Sequence, residues 1–225
     1  MLLDGSYLLQ FRFIVATLLL YMSEEDTFWT FIAMMRGYGM NGDAVAYVAA
    51  YNDAESINKK SETSKGQNKT SADTSKAADQ TVTTLEGLYM PGLPLTKQYM
   101  FQMEFMLNKM MPTLAQHMEA QCAIPTMYAS QWFLTLFTYD LPFEVLLRVW
   151  DVFFSEGVKI LFRVGLALLQ MEESELLSLQ FEHLVGRIRT MPNHPETTAD
   201  VLIRTAVNIP VSVMFKESVN KYLNS

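Results

Sequence analysis

The sequence predicts an all-α fold, and three observations lead to that prediction. Apolar residues recur at helical spacing in several segments, whereas the strict alternation that is typical of strands is nowhere sustained. Hydrophobic residues make up 50% of the 225 residues, which is enough for a sizeable core. No repeat of fixed period occurs, so a domain of packed helices is favoured over a solenoid.

Composition excludes several classes of function. Seventeen basic and 24 acidic residues give a net charge of -7, which argues against nucleic acid or an anionic membrane surface as the main partner. The single cysteine, Cys122, cannot form an internal disulfide, which indicates a reducing, cytoplasmic setting. The few histidines show no metal-ligand spacing, and phosphate-loop and hydrolase motifs do not occur. We therefore expect no metal or cofactor.

The apolar run "FIVATLLLYM" at residues 13–22 is the first predicted helix. It is shorter than the roughly 20 residues that a transmembrane helix needs, and no small-residue cleavage site follows it. We therefore expect a buried helix and no transmembrane segment. Ser23 and Asp26 form a capping-box-like start, which predicts a second helix from Thr27 to Met35.

Residues 52–84 differ in character from the rest of the chain. They contain no aromatic residue and are rich in Ser, Thr, Lys and acidic residues. Such a segment cannot bury enough apolar surface to offset the entropy lost on ordering, which predicts a disordered insertion.

A turn at residues 91–94 and a helix from about Thr96 to Met111 are predicted next. One arc of this helix carries a methionine-rich stripe, which is more typical of a core than of a binding groove. Phe101 and Phe105 lie on the opposite, polar arc and are candidate contacts for another helix or for a partner. The stripe consists of Tyr99, Met100, Met103, Met106, Leu107, Met110 and Met111.

The segment "DLPFEVLLRVWDVFFSEG", residues 140–157, predicts a helix with Asp140 as its N-cap and Gly157 at its C-terminus. Apolar residues surround most of this helix, which favours a position inside a multi-helix protein. Glu144, Arg148 and Asp151 share one stripe at i,i+4 and i,i+3 spacing, so they can pair along the helix. We expect these charges to be paired rather than exposed, as a structural network that ties neighbouring helices together.

Five segments carry a family resemblance: "ATLLLYMSEEDTFWTFIAMM", "GLYMPGLPL", "YASQWFLTLF", "LRVWDVFFSEG" and "ILFRVGLALL". In this order and spacing they resemble the TBC domain of Rab GTPase-activating proteins. The resemblance covers Phe13 to about Pro192 apart from the insertion, and it includes Gln131, Trp132 and Trp150. It implies a partial TBC domain over residues 1–192, incomplete at its amino terminus, and a C-terminal helical extension over residues 193–225.

The resemblance implies a helical domain that docks on a Rab-family small GTPase and accelerates its GTP hydrolysis in vesicle trafficking. Such a protein regulates the partner's reaction and is not itself an enzyme, and GTP and Mg²⁺ are bound by the GTPase. A cytoplasmic protein that meets endomembranes peripherally through the Rab is the corresponding expectation.

Family members insert two side chains, called fingers, into the active site of the GTPase, and this sequence matches neither of the two motifs that supply them. An arginine from I-x-x-D-x-x-R stabilises charge on the transferring phosphoryl group, and a glutamine from Y-x-Q-G-M-N positions the attacking water. No I-x-x-D-x-x-R occurs upstream of Phe13, and an ungapped match beginning at Tyr7 puts Leu9 in the glutamine's place. Gln10 and Arg12 are the only candidate replacements, and no residue is assigned as catalytic.

Two hypotheses follow from these departures. The first is a working GTPase activator of which this sequence is an incomplete part, which the abrupt loss of family likeness before Phe13 favours. The second is a catalytically silent TBC-like scaffold that binds a Rab or another partner.

Overall fold

The computed structural model describes residues 5–36 and 85–224, with side-chain surroundings from residue 11 onward. Every secondary-structure element assigned in these ranges is an α-helix or a 3₁₀ turn, which confirms the all-α prediction. The polar insertion predicted at 52–84 lies outside the described residues. The helices are α1 Gly5–Leu19, α2 Glu24–Arg36, α3 Pro94–Met110, α4 Pro112–Ala120, α5 Pro125–Leu134, α6 Phe143–Glu156, α7 Lys159–Met171, α8 Glu173–Leu176, α9 Phe181–Thr190, α10 Ala199–Asn208 and α11 Val211–Leu223, with 3₁₀ turns at Leu85–Leu88 and Met191–Asn193.

Local sequence determines where several helices begin. The Asp26 amide donates to Ser23 Oγ over 3.1 Å, so the predicted cap of α2 is confirmed. Helices α3, α4 and α5 each begin with a proline, whose missing N–H costs nothing in the first helical turn. The predicted turn before α3 is confirmed, with positive φ angles at Gly92 and Leu93.

Helix α3 lies at the centre of the core and contacts α4, α5, α7 and α11. Its methionine stripe is buried as predicted except for Met110, which is half-buried, and Met103 and Met106 are both fully inaccessible. Helix α7 approaches closely because Gly165 has no side chain. A Cβ there would lie 3.2 Å from Met103 Cε and 3.3 Å from the ring of Trp132. Helices α3, α5 and α7 therefore converge at one point.

Helix α1 buries only one of its faces. Ile14 and Leu18 are inside the core, but Leu20 and Tyr21, just beyond the end of α1, are 69% and 58% exposed. The prediction of a buried helix at residues 13–22 is thus right for one face and wrong for the segment's end. In the described ranges no helix is both long and apolar enough to cross a membrane.

Helix α6 differs most from its prediction, because it lies at the surface with one face buried. Pro142, and not Asp140, precedes its first residue, and the structure gives no side-chain cap there. Gly157 ends the helix as predicted, but its φ of 76° and ψ of −160° lie outside the left-handed helical region. The buried residues of α6 are Val145, Leu146, Val149, Trp150 and Phe153.

The helices after Pro195 pack into the same core as the rest of the chain. Leu202 of α10 is fully buried, and α10 contacts α6 and α7. The Gln102 amide donates to the buried hydroxyl of Ser218 on α11 over 3.0 Å. Phe101 also contacts α11, with its ring centroid 5.4 Å from that of Tyr222. Of the two contacts predicted for Phe101, another helix or a partner, the structure shows the first.

Truncation of a buried residue in α10 tests whether these late helices belong to the folding unit. We expect Leu202→Ala to lower the free energy of unfolding by about 2–5 kcal/mol, because it leaves a cavity in the core. Val201→Ala on the same helix is the control, since Val201 is 43% exposed and its loss should cost about 0.5 kcal/mol or less. Urea unfolding of the full chain measures both. Equal, small effects would show that α10 is only an appendage.

Candidate functional site

The two candidate finger residues lie in α1 but not on one face of it. Gln10 and Arg12 are two positions apart, which on an α-helix separates them by about 160°. Arg12 is exposed, with its Cζ 5.0 Å from the ring centroid of Phe13. Leu9, at the place of the family's glutamine, is also part of α1. The helix therefore does not present Gln10 and Arg12 side by side.

Near Arg12 the surface carries a group of aromatic rings. The ring of Phe13 lies 5.3 Å from that of Tyr139, and Tyr21 stacks on Phe143 at 5.9 Å. Tyr21 and Tyr139 are more than half exposed and Phe143 is 43% exposed. We call Phe13, Tyr21, Tyr139 and Phe143 the aromatic face. It joins the end of α1 to the loop 135–142 and the start of α6.

The charged stripe of α6 lies on its exposed side, and the prediction of a paired, interior network is wrong. Glu144, Arg148 and Asp151 are all exposed, and none of them has an ion-pair partner among the described residues. The error arose because Phe143 and Phe154 lie on the outer side as well and made the helix look apolar all round. Removing one of these charges should change the free energy of unfolding by only about 0.5 kcal/mol or less, since each is exposed and makes no described ion pair.

Two of the three tryptophans of the family segments, Trp132 and Trp150, are buried and hold the loop beneath the aromatic face. Trp150 Nε1 donates to the carbonyl of Leu136 over 3.1 Å. Trp132 stacks on Phe137 at 5.5 Å, with an angle of 21° between the rings. Gln131 is half-buried, and its backbone carbonyl accepts from both the backbone N–H and the hydroxyl group of Thr135. Their roles remain predictions, but the tryptophan geometry supports positioning of the loop.

Asp140 lies inside this loop with an unsatisfied carboxyl group. Its Oδ2 is buried and has no hydrogen-bond partner among the described residues, whereas its backbone carbonyl accepts from Asn193 Nδ2 over 2.7 Å. Burial raises the pKa of Asp140 to about 7, because the charged form loses its hydration. No pattern in the sequence indicated this burial, and Asp140 was predicted to be a helix cap instead.

The side chains of this surface are suited to binding another protein. In the described part of the chain no group of three or more His, Cys, Asp or Glu side chains could hold a metal ion. Exposed aromatic rings next to unpaired charges are typical of a protein-binding surface. Sequence reasoning missed Tyr21, Tyr139 and Phe143, because their exposure depends on how α1 and α6 meet. The only local signal was an aromatic residue on each side of Pro142.

The fold therefore defines an all-α domain with a face suited to binding another protein, and comparisons with known proteins identify its family. Residues 81–191 match the family model described as RabGAP TBC domain. The human ecotropic viral integration site 5 protein homolog is 30% identical over 198 residues, 88% of this chain and 19% of that protein. The Rab GTPase-activating protein tbc-11 of Caenorhabditis elegans is 29% identical over 207 residues, 91% of this chain and 17% of that protein.

A crystal structure of the Chlamydomonas flagellar RabGAP TBC domain is also similar. It is 36% identical, covers 47% of this chain and 36% of its own, and gives a TM-score of 0.43. By the family match and the curated relatives, the chain belongs to the TBC-domain family of Rab GTPase-activating proteins. It spans about a fifth or less of the length of the two curated relatives.

Asp140→Asn tests the buried carboxyl group through the pH dependence of stability. The pKa of about 7 in the folded protein exceeds the usual value near 3.9 of an unfolded chain. The folded state therefore keeps a proton that the unfolded state has lost, and stability falls as the pH rises from about 4 to about 7. Relative to the parent, we expect the variant to gain about 2–4 kcal/mol at pH 8 and nothing at pH 4.

Urea unfolding between pH 4 and pH 8 measures this difference. Asp151→Asn is the control, because that carboxylate is exposed and its removal should not change the slope of stability against pH. Parallel curves for Asp140→Asn and the parent would show that the carboxyl group is hydrated.

Proposed function

We propose that the protein is a GTPase-activating protein for a Rab-family small GTPase, acting in vesicle trafficking, and that this chain supplies part of its TBC domain. The match over residues 81–191 carries the proposal, and a relative named as a Rab GTPase-activating protein supports it. GTP and Mg²⁺ belong to the partner GTPase, which brings this protein to endomembranes peripherally.

The aromatic face is the proposed contact surface for that partner. Aromatic side chains bury much area at little entropic cost and often dominate binding energy at interfaces. The exposed charges of α6 adjoin Phe143 and can supply a polar rim, which selects partners and speeds association. Since Glu144, Arg148 and Asp151 have no ion-pair partners among the described residues, a bound protein can pair with them without breaking existing contacts.

Within these 225 residues neither the arginine finger nor the glutamine finger of the family has a matching residue. Leu9 occupies the glutamine's place, and Gln10 and Arg12 lie on nearly opposite sides of α1. Binding that does not favour the transition state cannot accelerate hydrolysis. The chain by itself therefore binds its GTPase without activating it.

A single-turnover assay with a panel of GTP-loaded Rab proteins tests this proposal. An arginine finger contributes roughly 10³ to 10⁵ in rate, so we expect the 225-residue chain to leave each hydrolysis rate within about tenfold of the intrinsic rate. Gln10→Ala and Arg12→Ala are measured alongside and should change nothing. A thousandfold acceleration that either substitution abolishes would identify those residues as displaced fingers.

The unmatched glutamine position favours a second candidate, a silent TBC-like scaffold that binds a Rab or another partner. The two candidates differ when the whole protein is assayed, because only an activator accelerates hydrolysis by the Rab that it binds. Both require a binding face, so that face is tested separately.

Substitution of one exposed ring tests the aromatic face. We expect Phe143→Ser to weaken binding to a Rab loaded with a non-hydrolysable GTP analogue by about tenfold or more, as for an aromatic anchor at an interface. Phe181→Ser is the matched control, since Phe181 is 40% exposed on α9 and Phe143 is 43% exposed. Biolayer interferometry with the Rab panel gives both affinities. Equal losses, or no loss for either variant, would place the contact elsewhere.

A further inference from the structure

A cavity of about 200 Å³ opens between α3, α4 and the start of α5. It lies at the opposite end of α5 from the loop 135–142 and shares no residue with the aromatic face. Small-molecule sites usually occupy roughly 300–1,000 Å³, so this cavity has room for about one side chain. Its apolar walls are formed by Leu107, Ala115, Met118, Ala123 and Pro125.

Two acidic side chains lie at the cavity. Glu104 on α3 and Glu119 on α4 are both exposed lining residues, and neither forms an ion pair within the described ranges. Ile124, another lining residue, is 51% exposed. The cavity thus combines apolar walls with two carboxylates that form no ion pair in the described part of the chain.

The wall formed by Tyr128 adds an independent observation. Tyr128 is 3% exposed, and its hydroxyl group has no hydrogen-bond partner within residues 5–36 and 85–224. Burial raises the pKa of Tyr128, and the negative charge of Glu104 raises it further, so the hydroxyl group stays protonated. An unpartnered buried hydroxyl group is unfavourable, so a polar group that entered the cavity and bonded to it would be stabilised.

We propose that this cavity binds one basic side chain, arginine or lysine, from an extended segment of a partner protein. The methylene stem of such a side chain packs against the apolar walls while its charged head stays with polar groups. The head meets Glu104 and Glu119, and its N–H donors approach the side of the cavity that carries Tyr128. Hydrogen bonds between a cation and a carboxylate are among the stronger ones in proteins.

Other occupants fit the cavity less well. An acidic group would be repelled by both carboxylates. A purely apolar side chain would remove water from the two carboxylates without giving them a partner, which is unfavourable. The cavity is separate from the aromatic face, so the proposal does not depend on whether the chain contributes to GTPase activation.

Cys122 provides a specific reporter for occupancy. It is the only cysteine of the chain, is exposed, and lines the cavity. Alkylation by iodoacetamide, which is uncharged, therefore reports access to this one position. The probe is Nα-acetyl-arginine methylamide, and the matched control is the same compound built on citrulline, which has nearly the same shape without the charge.

We expect the arginine compound at 20 mM to slow alkylation of Cys122 in the full chain by about threefold, as for a Kd on the order of 10 mM. The citrulline compound should leave the rate unchanged. Glu104→Gln and Glu119→Gln should each weaken the protection, and Tyr128→Phe should weaken it without changing the charge. Asp200→Asn removes one exposed charge on α10 and should preserve it.

Three results would overturn the proposal. The first is no protection by the arginine compound, and the second is equal protection by the citrulline compound. The third is protection that Glu104→Gln and Glu119→Gln both leave intact. Circular dichroism of each variant shows that the helices are retained, and because the two glutamates are exposed, their replacement should not affect folding.

Discussion

Two consecutive residues in the loop between α5 and α6 adopt backbone angles that side chains disfavour. Leu136 has a φ of 49° and Phe137 a φ of 63°, and both are fully buried. Each costs roughly 1–2 kcal/mol relative to ordinary backbone, so surrounding contacts must hold them. The stacking of Phe137 on Trp132 and the hydrogen bond from Trp150 to the Leu136 carbonyl do so. Tyr89 adds a third constraint, since its hydroxyl group donates to the carbonyl of Leu134 over 2.6 Å.

The direction of the following residues depends on this strained turn. Tyr139 is turned outward into the aromatic face, and the next residue, Asp140, is turned inward without a partner for Oδ2. Burying that carboxyl group opposes folding at neutral pH, because its charged form is poorly solvated. The domain accepts two local costs here, one from backbone strain and one from desolvation. Such costs persist where surrounding packing is strong, and they are frequent at functional surfaces.

The sequence predicted the features that depend on short-range interactions. The start of α2 and the burial of Met103 follow from capping and periodicity within one helix, and both predictions were confirmed. The outward position of the α6 charges was not predictable, since it depends on which side α7 and α10 cover. The aromatic face was not predictable either, because it forms where two segments more than a hundred residues apart meet. A residue's helix face can be read from its spacing, but its exposure requires the neighbouring helices.

Helix α5 connects the aromatic face to the cavity through one buried ring. Its ten residues span about 15 Å, with Tyr128 near one end and the strained loop just beyond the other. Trp132 lies between them and contacts both Tyr128 and Phe137, each at 5.5 Å between ring centroids. Replacement of Trp132 would therefore disturb both surfaces and could not separate their roles. Exposed positions such as Phe143 and Glu104 can separate them, because neither is part of the packing that fixes α5. The two surfaces thus share a scaffold while remaining chemically independent.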